Sequence, residues 1–176
     1  MPTLVLLRHA KAEAAGPSDF ERKLSAPGRS QARRVAAHLV AEGLVPDVVL
    51  CSAALRARQT WEQVEAGLAE RGHPGEPVVH VAEELYSARP ETVADLVAAQ
   101  AAGEVTLVVG HEPTMSMTAA ALAGPESDEV AVMSAQVGIP TATAAVLEAG
   151  AWPDFHLPGA GASAVRLREL LRTPVD

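Results

Sequence analysis

The residues best suited to holding and moving an anionic group stand where apolar runs of this chain stop. Residues 3–7, Thr-Leu-Val-Leu-Leu, run into Arg8-His9. Residues 105–109, Val-Thr-Leu-Val-Val, run into Gly110-His111-Glu112-Pro113. Residues 47–51, Asp-Val-Val-Leu-Cys, run into a stretch that begins at Ser52 and carries Arg56, Gln59 and Thr60. A guanidinium stays charged and offers parallel hydrogen bonds in a planar fork, so Arg8 and Arg56 form a candidate clamp for a phosphoryl group. A neutral imidazole has a lone pair with which to attack phosphorus. Each stretch alone also has a plainer reading, a strand ending in solvent with ordinary surface charges.

Those residues need a scaffold that brings strand ends together. Short runs that are apolar on both faces belong in a parallel sheet covered by helices. In such sheets ligands bind outside the carboxyl ends of the strands. Ala32, Val35, Ala36, Leu39 and Val40 line one face of a first helix, with Gly43 suited to its C-terminal cap. Arg29, Arg33, Arg34 and His38 decorate the rest of it. Ala57, Trp61, Val64 and Leu68 share a face of a second helix over 55–70. The first turn of that helix carries Arg56 and offers free N–H groups to phosphate. A third helix begins at Pro90, and a fourth spans 113–122, with Met115 and Met117 as gap fillers. Further strands are expected at 77–81, 143–148 and, as an edge, 164–168. Residues 126–129 read as a charged turn and 152–155 as a loop or turn. This alternation predicts one α/β domain over 1–176, a three-layer α/β/α sandwich with a mostly parallel central sheet.

A strand ending in Arg8-His9, a later Ser52-x-x-x-Arg56-x-x-Gln59-Thr60 and a later Val109-Gly110-His111 resemble the motifs of the histidine phosphatase superfamily, the phosphoglycerate-mutase-like fold. Arg8-His9-Ala10-Lys11 and the short chain resemble its small bacterial branch, the phosphohistidine phosphatases. The resemblance covers roughly residues 3–150, with three motifs in the family's order. It implies that His9 is the nucleophile, forming a phosphohistidine, and that His111 stabilises the transferring oxygens. Two guanidinium groups nearby should then keep His9 neutral.

The general acid is less defined. Larger family members use a Glu from a later segment, for which Glu83 and Glu84 are the nearest equivalents, Glu84 foremost. Glu112, beside His111, and Asp19 are the alternatives. Residues 10–27 form a long polar connection of the kind that is often functional. Within it Asp19 and Arg22 are candidates to face the substrate, or else a solvated loop pair. Ser52 is a candidate to orient Arg56 or touch phosphate, or else a structural turn.

The bulk composition narrows the partners. A net charge of −8 argues against nucleic acid and anionic membranes, and an anionic substrate then needs a local positive pocket. With aromatics at only 3%, the core must be built from Ala, Val and Leu. The single Cys51 permits no internal disulfide and reads as a small core residue. No leader or membrane-spanning run is evident, so a cytoplasmic, monomeric protein is expected. The expected partner is a phosphorylated protein, phosphohistidine included, or a small phosphorylated metabolite, with no cofactor or metal. Three other readings stand beside it: a phosphoglycerate-mutase-type transferase, a metal hydrolase using His9 and His111, and an inactive module that binds phosphorylated ligands.

Overall fold

The structure, a computed structural model, describes residues 1–159 and 161–173. The expected three-layer arrangement is found. Strands β1 (Thr3–Arg8), β2 (Val48–Ser52), β3 (Val78–Ala82) and β4 (Val105–Gly110) run parallel. Strands β5 (Thr143–Glu148) and β6 (Arg166–Arg172) extend the sheet antiparallel beyond β1. The order is β3-β2-β4-β1-β5-β6.

The three continuous apolar strands are central because both of their faces are covered. Val5, Leu7, Val49, Cys51, Leu107 and Val109 pack beneath α1 (Ala26–Ala41) and α2 (Leu55–Glu70). Leu4, Leu6, Leu50 and Val108 pack against the other layer, α3 (Pro90–Gln100), α4 (Thr114–Leu122) and α5 (Glu129–Val137). Such alternation along one strand supplies both halves of the core. Register does the rest for the site. Arg8 pairs with Gly110, and Cys51 pairs with Val109, so His9, Ser52 and His111 emerge side by side.

Ser25 caps α1 by accepting from Gly28 N–H at 3.1 Å. A Cβ at Gly28 would lie 1.9 Å from the Lys11 carbonyl oxygen, so the helix start packs directly on the backbone that leaves His9. Gly28→Ala is expected to cost about 1–3 kcal/mol by overpacking. Urea unfolding checks this, and an unchanged midpoint would mean that the 10–12 segment yields freely.

Some local expectations differ. The turn expected at 126–129 opens a helix instead, because Asp128 accepts from Ala131 N–H at 2.8 Å and caps α5. That helix buries Ala131 and Ala135 while Val130, Met133 and Val137 stay exposed, so its apolar periodicity points away from the core. Met115 fills the core, but Met117 is 52% exposed and fills nothing. The edge strand runs Arg166–Arg172, beyond 164–168, whereas Trp152–Asp154 makes a turn as expected, one turn of 3₁₀ helix.

Candidate active site

His9 follows the last residue of β1 and is buried. Its Nδ1 lies 2.7 Å from the Ala10 carbonyl oxygen, which can only accept, so Nδ1 carries the proton. Nε2 keeps its lone pair, which accepts from Arg56 Nε–H at 3.2 Å. Arg56 comes from the first turn of α2 and is itself buried. Its Nη2 lies 3.3 Å from His111 Nδ1. A guanidinium has no lone pair, so this His111 nitrogen accepts. His111 Nε2–H therefore donates to Ser52 Oγ at 2.8 Å. The two imidazoles stand 5.2 Å apart between ring centroids. Their lone-pair nitrogens and the Arg56 fork converge on one spot.

Arg8 reaches the same region from the strand end. Its Nη1 donates to the Ile139 carbonyl at 2.9 Å, while its buried Nε meets no acceptor among the described residues. That N–H is a donor left for an oxyanion. The loop holding Arg8 in place has unusual backbone. Gly138, at φ +127°, turns the chain after α5 so that Ile139 N–H reaches the Glu112 carboxylate at 3.3 Å. Ala142, at φ 53°, is left-handed without being glycine. It donates to the carbonyls of Arg8 and His9 at 3.2 and 3.3 Å.

Asp19 comes in from the polar connection. Its carbonyl accepts from Arg56 Nη1 at 2.6 Å and its carboxylate from Nη2 at 3.2 Å. The carboxylate also takes Arg22 Nε at 3.0 Å and the Tyr86 hydroxyl at 2.6 Å. Arg22 thus braces Asp19. Tyr86 was not among the expected site residues. It ends the 3₁₀ turn Glu83–Tyr86, and its ring meets His111 at 5.6 Å and the Arg56 guanidinium at 5.9 Å. The only sequence signal for it was its position just after Glu83 and Glu84.

The carboxyl candidates separate clearly. Glu83 and Glu84 are exposed on that 3₁₀ turn, and it is Tyr86 from the same turn that reaches Asp19. Glu112 is engaged by Ser116 N–H and Oγ–H, at 3.1 and 2.7 Å, and by Ile139 N–H. Its charge faces Arg8 and offsets the burial that lowers the Arg8 pKa. Asp19 is held down to about 2, first by the Tyr86 hydrogen bond and then by Arg56 and Arg22.

Burial sets the histidines. It lowers His9 to about 4, with the Arg56, Arg8 and Arg22 charges adding to it and the Ala10 carbonyl opposing. The guanidinium charges expected to do this come second. Burial, His9 and Arg56 together lower His111 to about 3. Burial also pushes the Cys51 thiol up to about 12, as suits a core residue. A nucleophilic His9 stays competent while neutral. kcat/KM should therefore stay level as pH falls through 6.5 and drop only on approach to about 4. The unfolded chain protonates first, below about 6.5, so stability should decline over the same window as pH falls. A pH–rate profile and urea midpoints check both. A break in rate near 6.5 would overturn this assignment of the His9 environment.

Residues 4–85 match the sequence model of the histidine phosphatase superfamily, branch 1. The chain is 31% identical to a proposed phosphohistidine phosphatase SixA from Agrobacterium tumefaciens, with TM-score 0.74 over 97% of this chain and 98% of that one. It belongs to the histidine phosphatase superfamily. Another member, a proposed phosphohistidine phosphatase SixA from Nakamurella multipartitia, is 30% identical, with TM-score 0.78 over 98% and 96% of the two chains. An uncharacterized protein of Mycobacterium tuberculosis is 39% identical over 160 residues, covering 89% of this chain and 95% of its own. Two further structural facts bear on the family reading. Among the described residues no helix is long and apolar enough to cross a membrane. Nor do three or more His, Cys, Asp or Glu side chains cluster as a metal site among them.

Proposed function

We propose that the protein is a phosphatase that works through a covalent phosphohistidine at His9, acting on phosphohistidine in a protein or on a small phosphorylated compound. The observation that carries this reading is His9 itself. Its Nδ1–H is tied to the Ala10 carbonyl, leaving the Nε2 lone pair among Arg56 and His111.

In the first step a Nε2–P bond forms as the bond from phosphorus to the leaving atom breaks. Arg56 and the unpaired Arg8 Nε hold the oxygens, where charge must be stabilised, and His111 holds Arg56 in place by accepting from its Nη2. The Ala10 carbonyl stabilises the Nδ1–H of the phosphorylated imidazole. In the second step water attacks phosphorus, phosphate departs and His9 regains its lone pair. The arginines supply the positive charge, so this chemistry needs no metal. Asp19, held near 2, is ionised at neutral pH and cannot give a proton. Glu112 is already bound to Ser116 and Ile139. A leaving group that needs little help then suits the site, and a phosphorus–nitrogen bond to a protonated imidazole meets that need. Two of the similar structures bear names of phosphohistidine phosphatases, which supports the same substrate class.

The test is labelling with radiolabelled phosphoramidate, quenched in alkaline detergent. Label that is stable in base, labile in acid and unaffected by a chelator is expected. Absence of both label and turnover would reject the reading in favour of an inactive binding module, and chelator-sensitive turnover without label would favour a metal hydrolase.

A further inference from the structure

We propose that Phe20 and Tyr86 form the leaving-group side of this site and select a flat aromatic leaving group such as imidazole, an inference that rests on the phosphatase reading above. In-line displacement puts the leaving atom opposite the nucleophile, across the phosphorus. Arg56 and His111 mark where the phosphoryl group sits, and each meets both His9 and Tyr86. Arg56 bonds His9 at 3.2 Å and lies 5.9 Å over the Tyr86 ring. His111 stands 5.2 Å from His9 and 5.6 Å from Tyr86. Tyr86 therefore borders the phosphoryl position through the same two groups that meet the nucleophile, and its ring is assigned to the leaving-group side.

Phe20 extends this wall, meeting Tyr86 edge-on at 5.0 Å and 84°. The chain has only two Phe, one Tyr and two Trp. Trp61 and Phe155 are buried in the core, and Trp152 packs on Phe155. Phe20 and Tyr86 are partly exposed, as Trp152 is, and are the aromatic pair that lies beside Arg56 and His111. The Tyr86 hydroxyl is anchored on Asp19, which sets its ring before any ligand arrives. A preset aromatic edge and face favour another flat ring over an aliphatic or ammonia-like group. They also hold it without supplying a proton, in keeping with the ionised Asp19.

The experiment compares kcat/KM for N-phosphoimidazole with kcat/KM for phosphoramidate, which shares the phosphorus–nitrogen bond but lacks the ring. Wild type, Phe20→Leu, Tyr86→Leu and Tyr86→Phe are measured. The ratio is expected to fall about tenfold in both leucine variants, the size of a lost ring contact, and to hold in Tyr86→Phe. An unchanged ratio in both leucine variants, with the two rates falling together, would overturn the inference and leave Tyr86 a prop for Asp19. A ratio lost in Tyr86→Phe as fully as in Tyr86→Leu would overturn it too, because the hydroxyl would then be the determinant. Wild-type turnover of neither compound would reject the phosphatase reading itself, and this one with it.

Discussion

Replacing His9 with alanine is expected to lower kcat by about 1,000-fold or more, because a covalent route loses its nucleophile outright. Nothing else nearby can substitute. His111 accepts from Arg56 as His9 does, but its other nitrogen rests on the Ser52 hydroxyl, 2.8 Å away, where His9 has the fixed Ala10 carbonyl acceptor behind its attacking nitrogen. Cys51 is buried, with its thiol pushed up to about 12, so it forms no thiolate at neutral pH. Millimolar imidazole added to the variant should restore part of the rate, since truncation opens room beside Arg56 for a free ring. His111→Ala should be milder, about 100-fold, because it removes a partner that positions the Arg56 clamp and leaves the attack intact. The check is steady-state turnover of an aryl phosphate. A loss of less than tenfold in His9→Ala would make water the attacking group and end the covalent scheme.

Arg56→Lys is expected to cost about 100- to 1,000-fold in kcat/KM despite keeping the charge. One guanidinium serves His9, His111 and both oxygens offered by Asp19, at 2.6–3.3 Å. A lysine has one nitrogen and cannot span these partners. The variant carries a second signature. Arg56 depresses both histidines, so displacing its charge should move the acid limb of the pH profile upward from about 4. The move should be partial, because burial is the larger cause. A lysine variant with wild-type kcat/KM would show that charge alone, without the fork, holds the phosphoryl group.

The Asp19–Arg56 pair sets a further condition on catalysis. In this structure an aspartate occupies the fork that the mechanism assigns to phosphoryl oxygens. Substrate must share or displace it, and Asp19 is more than half exposed, held by Arg22 on its Oδ1 and by the Tyr86 hydroxyl on the same Oδ2 that takes Arg56. The same contacts exclude it as an acid, which is why the leaving group carries so much of the substrate argument.

Much of the site was legible in the chain. Arg8, His9, Ser52, Arg56 and His111 are found where apolar strand patterns end, and a parallel sheet must bring those ends together. Two-sided burial of β1, β2 and β4 and the helix faces of α1 and α2 follow from the same local pattern. Helix α5 did not, because Val130, Met133 and Val137 face out while small alanines face in, and periodicity then misreports the buried side.

Residue type and spacing alone determined the family motifs, the sheet that aligns them and the groups able to clamp and attack phosphorus. The tertiary structure alone decided who touches whom across long separations. Tyr86 meets Asp19 across 67 positions, and Arg8 meets the Ile139 carbonyl across 131. No local pattern encodes such pairs, since they depend on where separate loops end in space. It also decided that burial, ahead of neighbouring charge, keeps the two histidines neutral, because desolvation is a property of the packed site and not of any residue in it.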